Sequence, residues 1–256
     1  MNGIEGKVAL VTGSTSGLGK EIAVYFAKEK AKVIVSGRRE KEGEEVVSLI
    51  RSQGGEAAFV SCDISKPEQV ETLVRTSIER FGRLDFAVNN AGIAGVMKPV
   101  AEYPIDVWDD IININLKGTF LSMKFEIQEM LKQGNGGVIV NVSSAIGLRG
   151  KEKIAPYSAT KHGIIGLTKS AAFEYGGSGI RINALCPGGI QTEMDDLFYQ
   201  NAPDPEALRK ERMKSYALGR MAQPKEVARV AVWLCSEDSS FITGASIPVD
   251  GGKTAK

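Results

Sequence analysis

The chain has 256 residues, of which 43% are hydrophobic and 25% charged, a balance typical of a soluble globular protein with a substantial core. Its formal net charge of +1 provides no field that would attract nucleic acid or an anionic membrane. No apolar run approaches the ~20 residues of a membrane span, and the N-terminus lacks the apolar segment of a signal peptide. We therefore expect neither a membrane nor a nucleic acid as a partner.

The cysteines and the single histidine exclude several kinds of site. Cys62, Cys186 and Cys235 are widely spaced and form neither a metal-ligand nor a redox pair, so we expect core fillers in a reducing cytoplasm. His162 is the only histidine, which excludes a histidine-rich metal site, and no metal is expected. It sits beside Lys161 but points off the helix at a different angle, which favours a bystander over a member of a Ser-His-Asp triad.

The first predicted elements are a strand, a glycine turn and a helix. Residues 7–12 form an apolar run typical of a buried parallel strand, and Gly13, Gly17 and Gly19 separate it from a helix beginning near Lys20. Glycines allow a tight turn and a close approach of backbone N–H groups, and a helix N-terminus adds partial positive charge. This order predicts a phosphate site, although the spacing differs from the usual dinucleotide fingerprint.

The second predicted strand, residues 32–36, bears on cofactor choice. In a dinucleotide fold an acidic residue at its end binds the 2′-hydroxyl of NAD, whereas an arginine accommodates a 2′-phosphate. Here Gly37 stands where the acid would be, followed by Arg38 and Arg39. NADP(H) is therefore favoured and NAD(H) stays open. The alternative, above all for Arg39, is a solvated side chain ahead of a charged helix.

Two further strands follow. Residues 57–61 read as the third strand, and the helix after it has Ser65 as its expected N-cap, with proline and glutamate in the first turn. Residues 84–89 read as the fourth strand and lead into the Asn-Asn-Ala-Gly segment at 89–92. Side-chain amides at a strand end either tie neighbouring strands together or line a ligand crevice.

A tyrosine and a lysine form a candidate acid/base pair. Tyr157 and Lys161 lie four residues apart in a predicted helix, 155–167, which places them on one face. A phenol with its ordinary pKa of about 10 is a poor base at neutral pH. An ammonium one turn away is expected to lower that pKa and make the pair competent for proton transfer. Taken alone, the same spacing also fits a solvated helix face.

Taken together, these motifs resemble those of the short-chain dehydrogenase/reductase family, from about residue 7 to residue 252. The resemblance implies a single-domain Rossmann-type doubly wound α/β fold over residues 1–256, with a seven-stranded parallel sheet and helices on both faces. It also implies a nicotinamide cofactor and the interconversion of a secondary alcohol and a ketone. The motifs are Thr12-Gly13-x-x-x-Gly17-x-Gly19, then Asn89-Asn90-Ala91-Gly92, then Ser144 with Tyr157 and Lys161.

The resemblance assigns four catalytic positions. Tyr157 would be the general acid/base, and Ser144, thirteen residues earlier, would hold the substrate oxygen where charge develops. Ser143 is adjacent, but the spacing favours Ser144. Lys161 would tune Tyr157 and bind the nicotinamide ribose. Asn115 would support a proton-relay water near the lysine, with local capping of the helix backbone as the alternative.

The resemblance also implies the cofactor contacts. Asp63 and Ile64 would meet the adenine, while Ile190 and Thr192 would contact the nicotinamide carboxamide. The full set of implied cofactor-binding residues is Gly13, Ser14, Ser16, Gly17, Leu18, Gly19, Arg38, Asp63, Ile64, Asn90, Ala91, Gly92, Tyr157, Lys161, Pro187, Gly188, Ile190 and Thr192.

The C-terminal half predicts the substrate lid and the assembly. Residues 192–216 mix large apolar side chains with prolines and carboxylates, and we interpret them as a partly helical lid over the substrate. Arg149, Lys151 and Lys153 either meet an anionic substrate or acyl-carrier partner or belong to a solvated loop. The family's C-terminal segment commonly packs across a two-fold axis, so the resemblance implies a homotetramer.

Three functions stay open at this point. The favoured one is an NADP-preferring oxidoreductase acting on a secondary alcohol or ketone, with a cyclic diol or a sugar lactol as candidate substrates. The second is a 3-oxoacyl-[acyl-carrier-protein] reductase, which performs the same chemistry on a fatty-acid intermediate. The third is a non-catalytic dinucleotide sensor, disfavoured because all four catalytic positions are filled.

Overall fold

The computed structural model describes residues 1–192 and 204–255. Its centre is one seven-stranded sheet with the strand order β3-β2-β1-β4-β5-β6-β7. Every neighbouring pair of strands is parallel. The strands are β1 Val8–Thr12, β2 Lys32–Gly37, β3 Glu56–Ser61, β4 Phe86–Asn89, β5 Gly137–Val142, β6 Ile180–Pro187 and β7 Ser246–Val249.

Helices connect the strands and cover both faces of this sheet. They are α1 Gly17–Lys28, α2 Glu40–Ser52, α3 Pro67–Phe81, α4 Ile105–Ile111, α5 Gly118–Gln133, α6 Ala155–Tyr175, α7 Pro205–Met213 and α8 Pro224–Cys235. A π-helical segment, Ile112–Lys117, joins α4 to α5. No helix in the described part of the chain is both long and apolar enough to span a membrane.

The strands are apolar along their length because each lies between two helical layers. In β1 all five residues are buried. Ala9 and Val11 pack into the cluster that contains α1, α2 and α8. Leu10 points the other way, into the cluster that contains α3 and α5. This alternation follows from the two-residue period of a strand and confirms the doubly wound architecture.

The strand order reverses at β1, since β2 and β3 lie on one side of it and β4 to β7 on the other. In open parallel sheets a ligand crevice forms at such a switch point, outside the carboxyl ends of the strands. The glycine turn after β1 and the segment 90–92 after β4 therefore face the same crevice. The fold thus brings two distant motifs together before any side chain is considered.

The start of α3 differs from the expectation, and part of the predicted lid lies outside the described residues. The predicted N-cap of α3 was wrong, because the helix begins at Pro67 with Lys66 at the N-cap. The Ser65 hydroxyl instead donates to the Asp63 carboxylate at 2.8 Å and helps to close a turn after β3. Of the predicted lid at 192–216, residues 193–203 lie outside the described residues, and α7 forms part of the remainder.

Candidate active site

Glycine is required at two positions of the turn after β1. Gly13 has φ +63°, and a Cβ there would lie 2.7 Å from the Ala91 Cα. A Cβ on Gly19 would overlap the Gly13 carbonyl oxygen and lie 2.5 Å from the Asn90 side-chain nitrogen. Side chains are thus excluded where the turn meets the segment after β4. The result is an exposed backbone cradle at the N-terminus of α1, which is the geometry that phosphate groups need.

Hydrogen bonds lock this turn to the segment after β4. The Asn90 amide donates to the carbonyl oxygens of Thr12 and Gly13, both at 3.1 Å. In return the Thr12 hydroxyl accepts from the backbone N–H groups of Asn90 and Ala91, at 3.1 and 3.2 Å. Asn90 therefore both ties strands together and borders the crevice, so the two sequence alternatives hold at once. The acceptor role of Thr12 was not foreseen.

Ser14 has a different role from the other residues of the turn. Its side chain is fully buried, and the hydroxyl donates to the Val11 carbonyl oxygen at 2.7 Å. The same hydroxyl accepts from the Ser36 N–H at 2.9 Å. Ser14 thus holds β1 to β2 and turns its side chain away from the cavity. A direct side-chain contact to the cofactor is not supported by this placement.

The two arginines after β2 lie at the same end of the crevice. Arg38 is exposed and borders the cavity. The Arg39 guanidinium donates to the Thr15 hydroxyl at 3.1 Å and to the Ser16 hydroxyl, and it lies 3.7 Å from the Glu42 carboxylate. Arg39 thus makes local contacts while its side chain stays half exposed, and its role toward the cofactor stays a prediction. Both arginines border the point where β2 ends.

One cavity of about 460 Å³ joins the glycine turn to the Tyr157 side chain. Of the residues that the sequence proposed as catalytic or cofactor-binding, only Ser14 and Asn115 are absent from its lining within the described part of the chain. The lining includes Gly13, Ser16, Gly17, Leu18, Gly19, Arg38, Asp63, Ile64, Asn90, Ala91, Gly92, Ser144, Tyr157, Lys161, Pro187, Gly188, Ile190 and Thr192.

Tyr157 and Lys161 share one face of α6, as their spacing predicts. The Lys161 ammonium lies 5.5 Å from the centroid of the Tyr157 ring and donates to the Val142 carbonyl oxygen at 2.8 Å. Ser144 follows β5, and its hydroxyl accepts from the Ile146 N–H at 3.1 Å. Phenol, ammonium and hydroxyl therefore meet at the carboxyl end of β5.

The direction of the Tyr157 pKa differs from the expectation. Burial raises the pKa of the Tyr157 phenol, and the neighbouring Ser144 hydroxyl offsets part of that rise. Burial also lowers the pKa of Lys161 to about 8. The expected lowering of the phenol pKa by the lysine was wrong for the unliganded protein, because desolvation dominates at this site and the ammonium is held by Val142.

Asn115 lies behind the lysine, in the π-helical segment. Its side-chain oxygen accepts from the Ile93 N–H at 2.8 Å, and its nitrogen donates to the Ile93 carbonyl oxygen at 2.9 Å. A Cβ on Gly92 would lie 3.1 Å from the Asn115 oxygen and 3.8 Å from the Lys161 ammonium nitrogen. These contacts hold the backbone at Ile93, 22 residues earlier, and not the local helix backbone, so the capping alternative does not describe them, and the proton-relay role stays a prediction. Single π-turns of this kind are frequent at functional sites.

A buried polar network under β4 was missed. Asn89 donates to the Glu126 carboxyl group at 2.9 Å and to the Asn141 side-chain oxygen at 3.0 Å. Burial raises the pKa of Glu126 to about 8. One oxygen of Glu126 and the side-chain oxygen of Asn89 have no partner in the described structure. Such a network fixes the strand end that carries Asn90, and a polar residue in the apolar stripe of α5 was the available signal.

The far end of the cavity combines an apolar wall with basic groups. Ile93, Ala94, Ile146 and Ile154 line it. The basic and phenolic residues at this end are Lys151, Arg212, Tyr216 and Lys253. Of the three basic residues named in the predicted 149–153 loop, only Lys151 reaches the lining. In the part of the chain that the structure describes, no group of His, Cys, Asp or Glu side chains could hold a metal ion.

Comparison with known proteins identifies the family. A family model described as "Enoyl-(Acyl carrier protein) reductase" matches residues 13–254. A short chain dehydrogenase/reductase of Aspergillus oryzae, AstE, is 43% identical over 97% of this chain and 95% of its own length. The chain belongs to the short-chain dehydrogenase/reductase family, whose members are Rossmann-type oxidoreductases.

Two further relatives have more specific names. Cyclohexanol dehydrogenase of Acinetobacter sp. is 40% identical over 100% of this chain and 98% of its own length. The solved structure of a single-residue variant of actinorhodin polyketide ketoreductase with NADPH superimposes with a TM-score of 0.93. It is 35% identical, and the match covers 100% of both chains. The similarity therefore extends over the whole sheet.

Proposed function

We propose that this protein interconverts a secondary alcohol and a ketone by hydride transfer, with Tyr157 as the general acid/base. One observation carries the proposal. A single cavity joins the backbone cradle of the glycine turn to the Tyr157 phenol, the Ser144 hydroxyl and the Lys161 ammonium. A cofactor bound along the turn would thereby meet a substrate held at the phenol.

The residues present fit a nicotinamide dinucleotide. The turn around Gly13 and Gly19 has no room for side chains, so backbone N–H groups can approach a pyrophosphate. Gly37 stands at the end of β2 where an acidic residue would bind the 2′-hydroxyl of NAD, and Arg38 and Arg39 follow it, which favours NADP(H) over NAD(H). The related ketoreductase with NADPH supports the same choice. When bound, the nicotinamide ring supplies or accepts the hydride.

The chain's own groups handle the oxygen and its proton. Ser144 holds the substrate oxygen, and Tyr157 gives it a proton during reduction or takes one during oxidation. Lys161 has a pKa of about 8, and its side chain places a positive charge in the site only when it is protonated. That charge favours the phenolate form of Tyr157 and opposes the increase in the Tyr157 pKa that burial causes. Asn115 holds the loop at Ile93 in place beside Lys161.

We infer that the substrate is a small alcohol or ketone that contains a ring. The apolar side chains of Ile93, Ile146 and Ile154 border the phenol end of the cavity. The similarity to cyclohexanol dehydrogenase, over 98% of that protein's length, supports a cyclic alcohol or ketone as the substrate. A lid formed by residues 192–216 would close over that ring.

A reductase of carrier-bound 3-oxoacyl groups is the second candidate. The description of the matching family model, which names an acyl carrier protein, favours it. Turnover of an acetoacetyl thioester separates the two candidates. Assembly as a homotetramer, a single domain over 1–256 and a cytoplasmic location complete the proposal. They rest on the family resemblance and on three cysteines that are free and buried.

The test is a panel of cyclic and acyclic alcohols and ketones, followed by NAD(P)H absorbance with both cofactors. We expect turnover of a small cyclic ketone with NADPH, at a higher kcat/KM than with NADH. Turnover only of the acetoacetyl thioester would favour the second candidate. Binding of NADPH with no turnover of any panel member in either direction would contradict an enzymatic function and favour the sensor.

A further inference from the structure

Basic and phenolic groups converge at the substrate end of the cavity. Lys151 comes from the loop between β5 and α6, and Lys253 follows β7 near the C-terminus. Both border the cavity, as does Tyr216 after α7. Three separate segments therefore deliver hydrogen-bond donors to one place. Among the described lining residues, the only carboxylate is Asp63, which follows β3 at the other edge of the sheet.

The position of Lys253 is fixed by the turn that carries it. The Asp250 carboxylate accepts from the Gly252 N–H at 2.9 Å and from the Thr254 N–H at 2.8 Å. It also accepts from the Thr254 hydroxyl at 2.6 Å. The turn is thus closed around Lys253. Its ammonium lies 4.2 Å from the centroid of the Tyr216 ring and donates to the Tyr216 hydroxyl at 3.1 Å.

Donor capacity at this end remains unused. The Tyr216 hydroxyl oxygen already accepts from the Gly189 N–H at 3.1 Å as well as from Lys253. Its own hydrogen is therefore available to an acceptor in the cavity, as are two of the three Lys253 ammonium hydrogens. Within residues 1–192 and 204–255, the Lys151 ammonium has no hydrogen bond or ion pair. An acceptor that bears negative charge would satisfy all three groups.

Among the described residues that act on Lys151, positive charges outnumber negative ones. Burial lowers the pKa of Lys151, and the nearby charges of Arg212, Lys253 and Arg149 lower it further, while Glu152 alone opposes them. Like charges held together at the edge of a cavity raise the local concentration of an anion and strengthen its binding.

This site is distinct from the positions expected to meet the cofactor phosphates. Arg38 follows β2, whereas Lys253 follows β7, and four strands separate β2 from β7. Five strand spacings correspond to roughly 24 Å, so one anion cannot contact both positions. The pyrophosphate belongs to the glycine turn after β1. The basic groups at the substrate end therefore lie away from the expected phosphate positions.

We propose that Lys151, Tyr216 and Lys253 bind a carboxylate carried by the alcohol or ketone substrate. A compact anion suits the cavity, because the glycine turn proposed to hold the cofactor borders the same cavity. The substrate class is then an oxo- or hydroxy-carboxylic acid whose reacting carbon lies at Tyr157. This assignment rests on the oxidoreductase function proposed above. It places the carboxylate of the substrate at the basic groups and the reacting carbon at Tyr157.

The test compares matched pairs of ketones in which a charged carboxylate is replaced by a neutral carboxamide of similar shape. Initial rates with NADPH are measured for 3- and 4-oxocyclohexanecarboxylate and for the corresponding carboxamides. We expect the carboxylates to have at least about a tenfold higher kcat/KM, mainly through KM, and expect added salt to reduce the preference. Equal values for carboxylate and carboxamide would overturn the assignment. So would a preference for the acetoacetyl thioester over both, which favours a carrier-bound substrate.

Variants assign the preference to the residues. In Lys151→Met/Lys253→Met the ratio of carboxylate to carboxamide kcat/KM should fall by about tenfold or more, since both ammonium groups are lost. The control Lys153→Met removes a charge from the same loop at a position outside the cavity lining and should keep the ratio. A ratio unchanged in the double variant would overturn the assignment.

A binding measurement separates this assignment from the proposed function. Cyclohexanecarboxylate and cyclohexanecarboxamide are titrated calorimetrically into protein saturated with NADP⁺. Tighter binding of the carboxylate by about tenfold, lost in the double variant, supports the site even if no ketone is turned over. Turnover of the neutral ketones without any preference for the carboxylate, in rate or in binding, refutes the site and leaves the oxidoreductase function intact.

Discussion

Replacing Glu126 by glutamine tests whether the buried network under β4 holds a neutral acid. Glu126 is fully buried, and one of its carboxyl oxygens has no partner in the described structure, like the side-chain oxygen of Asn89. Burial raises the pKa of Glu126 to about 8, against the opposing effect of the Asn89 hydrogen bond. At neutral pH the folded protein therefore keeps this side chain protonated. Glutamine reproduces that shape without a titrating proton.

The sign and size of the effect follow from proton linkage. Between the unfolded pKa of about 4.5 and the folded pKa of about 8, the folded state binds a proton that the unfolded state has lost. Stability of the wild type therefore falls as pH rises, by about 1.4 kcal/mol per pH unit. From about pH 6 to about pH 7.5 the loss is roughly 2 kcal/mol. Glu126→Gln lacks this loss.

Urea unfolding of the unliganded protein across this pH range measures the difference. We expect the stability of Glu126→Gln relative to wild type to grow by roughly 2 kcal/mol over that interval. Glu129→Gln is the matched control, because Glu129 is only partly buried on the same helix and pairs with Lys132. It should follow the wild type. A difference between Glu126→Gln and wild type that does not change with pH would refute the neutral-acid account.

Three further substitutions test other parts of the site. In Gly19→Ala the new Cβ would overlap the Gly13 carbonyl oxygen, so NADPH binding by fluorescence titration should weaken by at least about tenfold; unchanged affinity would exclude this turn as the cradle. Arg38→Leu should shift the kcat/KM ratio of NADPH to NADH toward NADH by about tenfold; an unchanged ratio would remove Arg38 from phosphate recognition. It is a cleaner change than Gly37→Asp, whose Cβ would press on the Thr15 methyl carbon at 2.8 Å. Asn115→Ala leaves the Ile93 backbone groups without partners and should cost about 1–3 kcal/mol in urea unfolding; no loss of stability would contradict the structural role.

Motifs that act through local geometry could be predicted from the sequence. The four strands predicted in the N-terminal half, β1 to β4, differ from the structure by only one or two residues at an end. Glycines at 13 and 19 and the Tyr157–Lys161 spacing indicated the crevice because their effect depends on a turn and on one helical face. The family resemblance supplied the connection between these separate pieces.

Properties that depend on long-range packing could not be predicted. Lys253 reaches the cavity only because β7 ends beside β6 and a turn closes on Asp250. Glu126 meets Asn89 only when α5 packs on the sheet. The direction of the Tyr157 pKa depends on how much water the folded protein removes, which residue spacing does not express. A local pattern can mark a residue such as Glu126 as unusual, but it does not show which partner the fold brings to it.

The most direct test of the central claim is the activity of Tyr157→Phe. The substitution removes the phenol oxygen that is placed in the same cavity as the glycine turn, and it keeps the ring that packs near Lys161. Turnover of a ketone that the wild type reduces should fall by a factor of about 10² to 10⁴, with NADPH binding by fluorescence titration within about threefold of wild type. A kcat within about twofold of wild type would contradict Tyr157 as the proton donor.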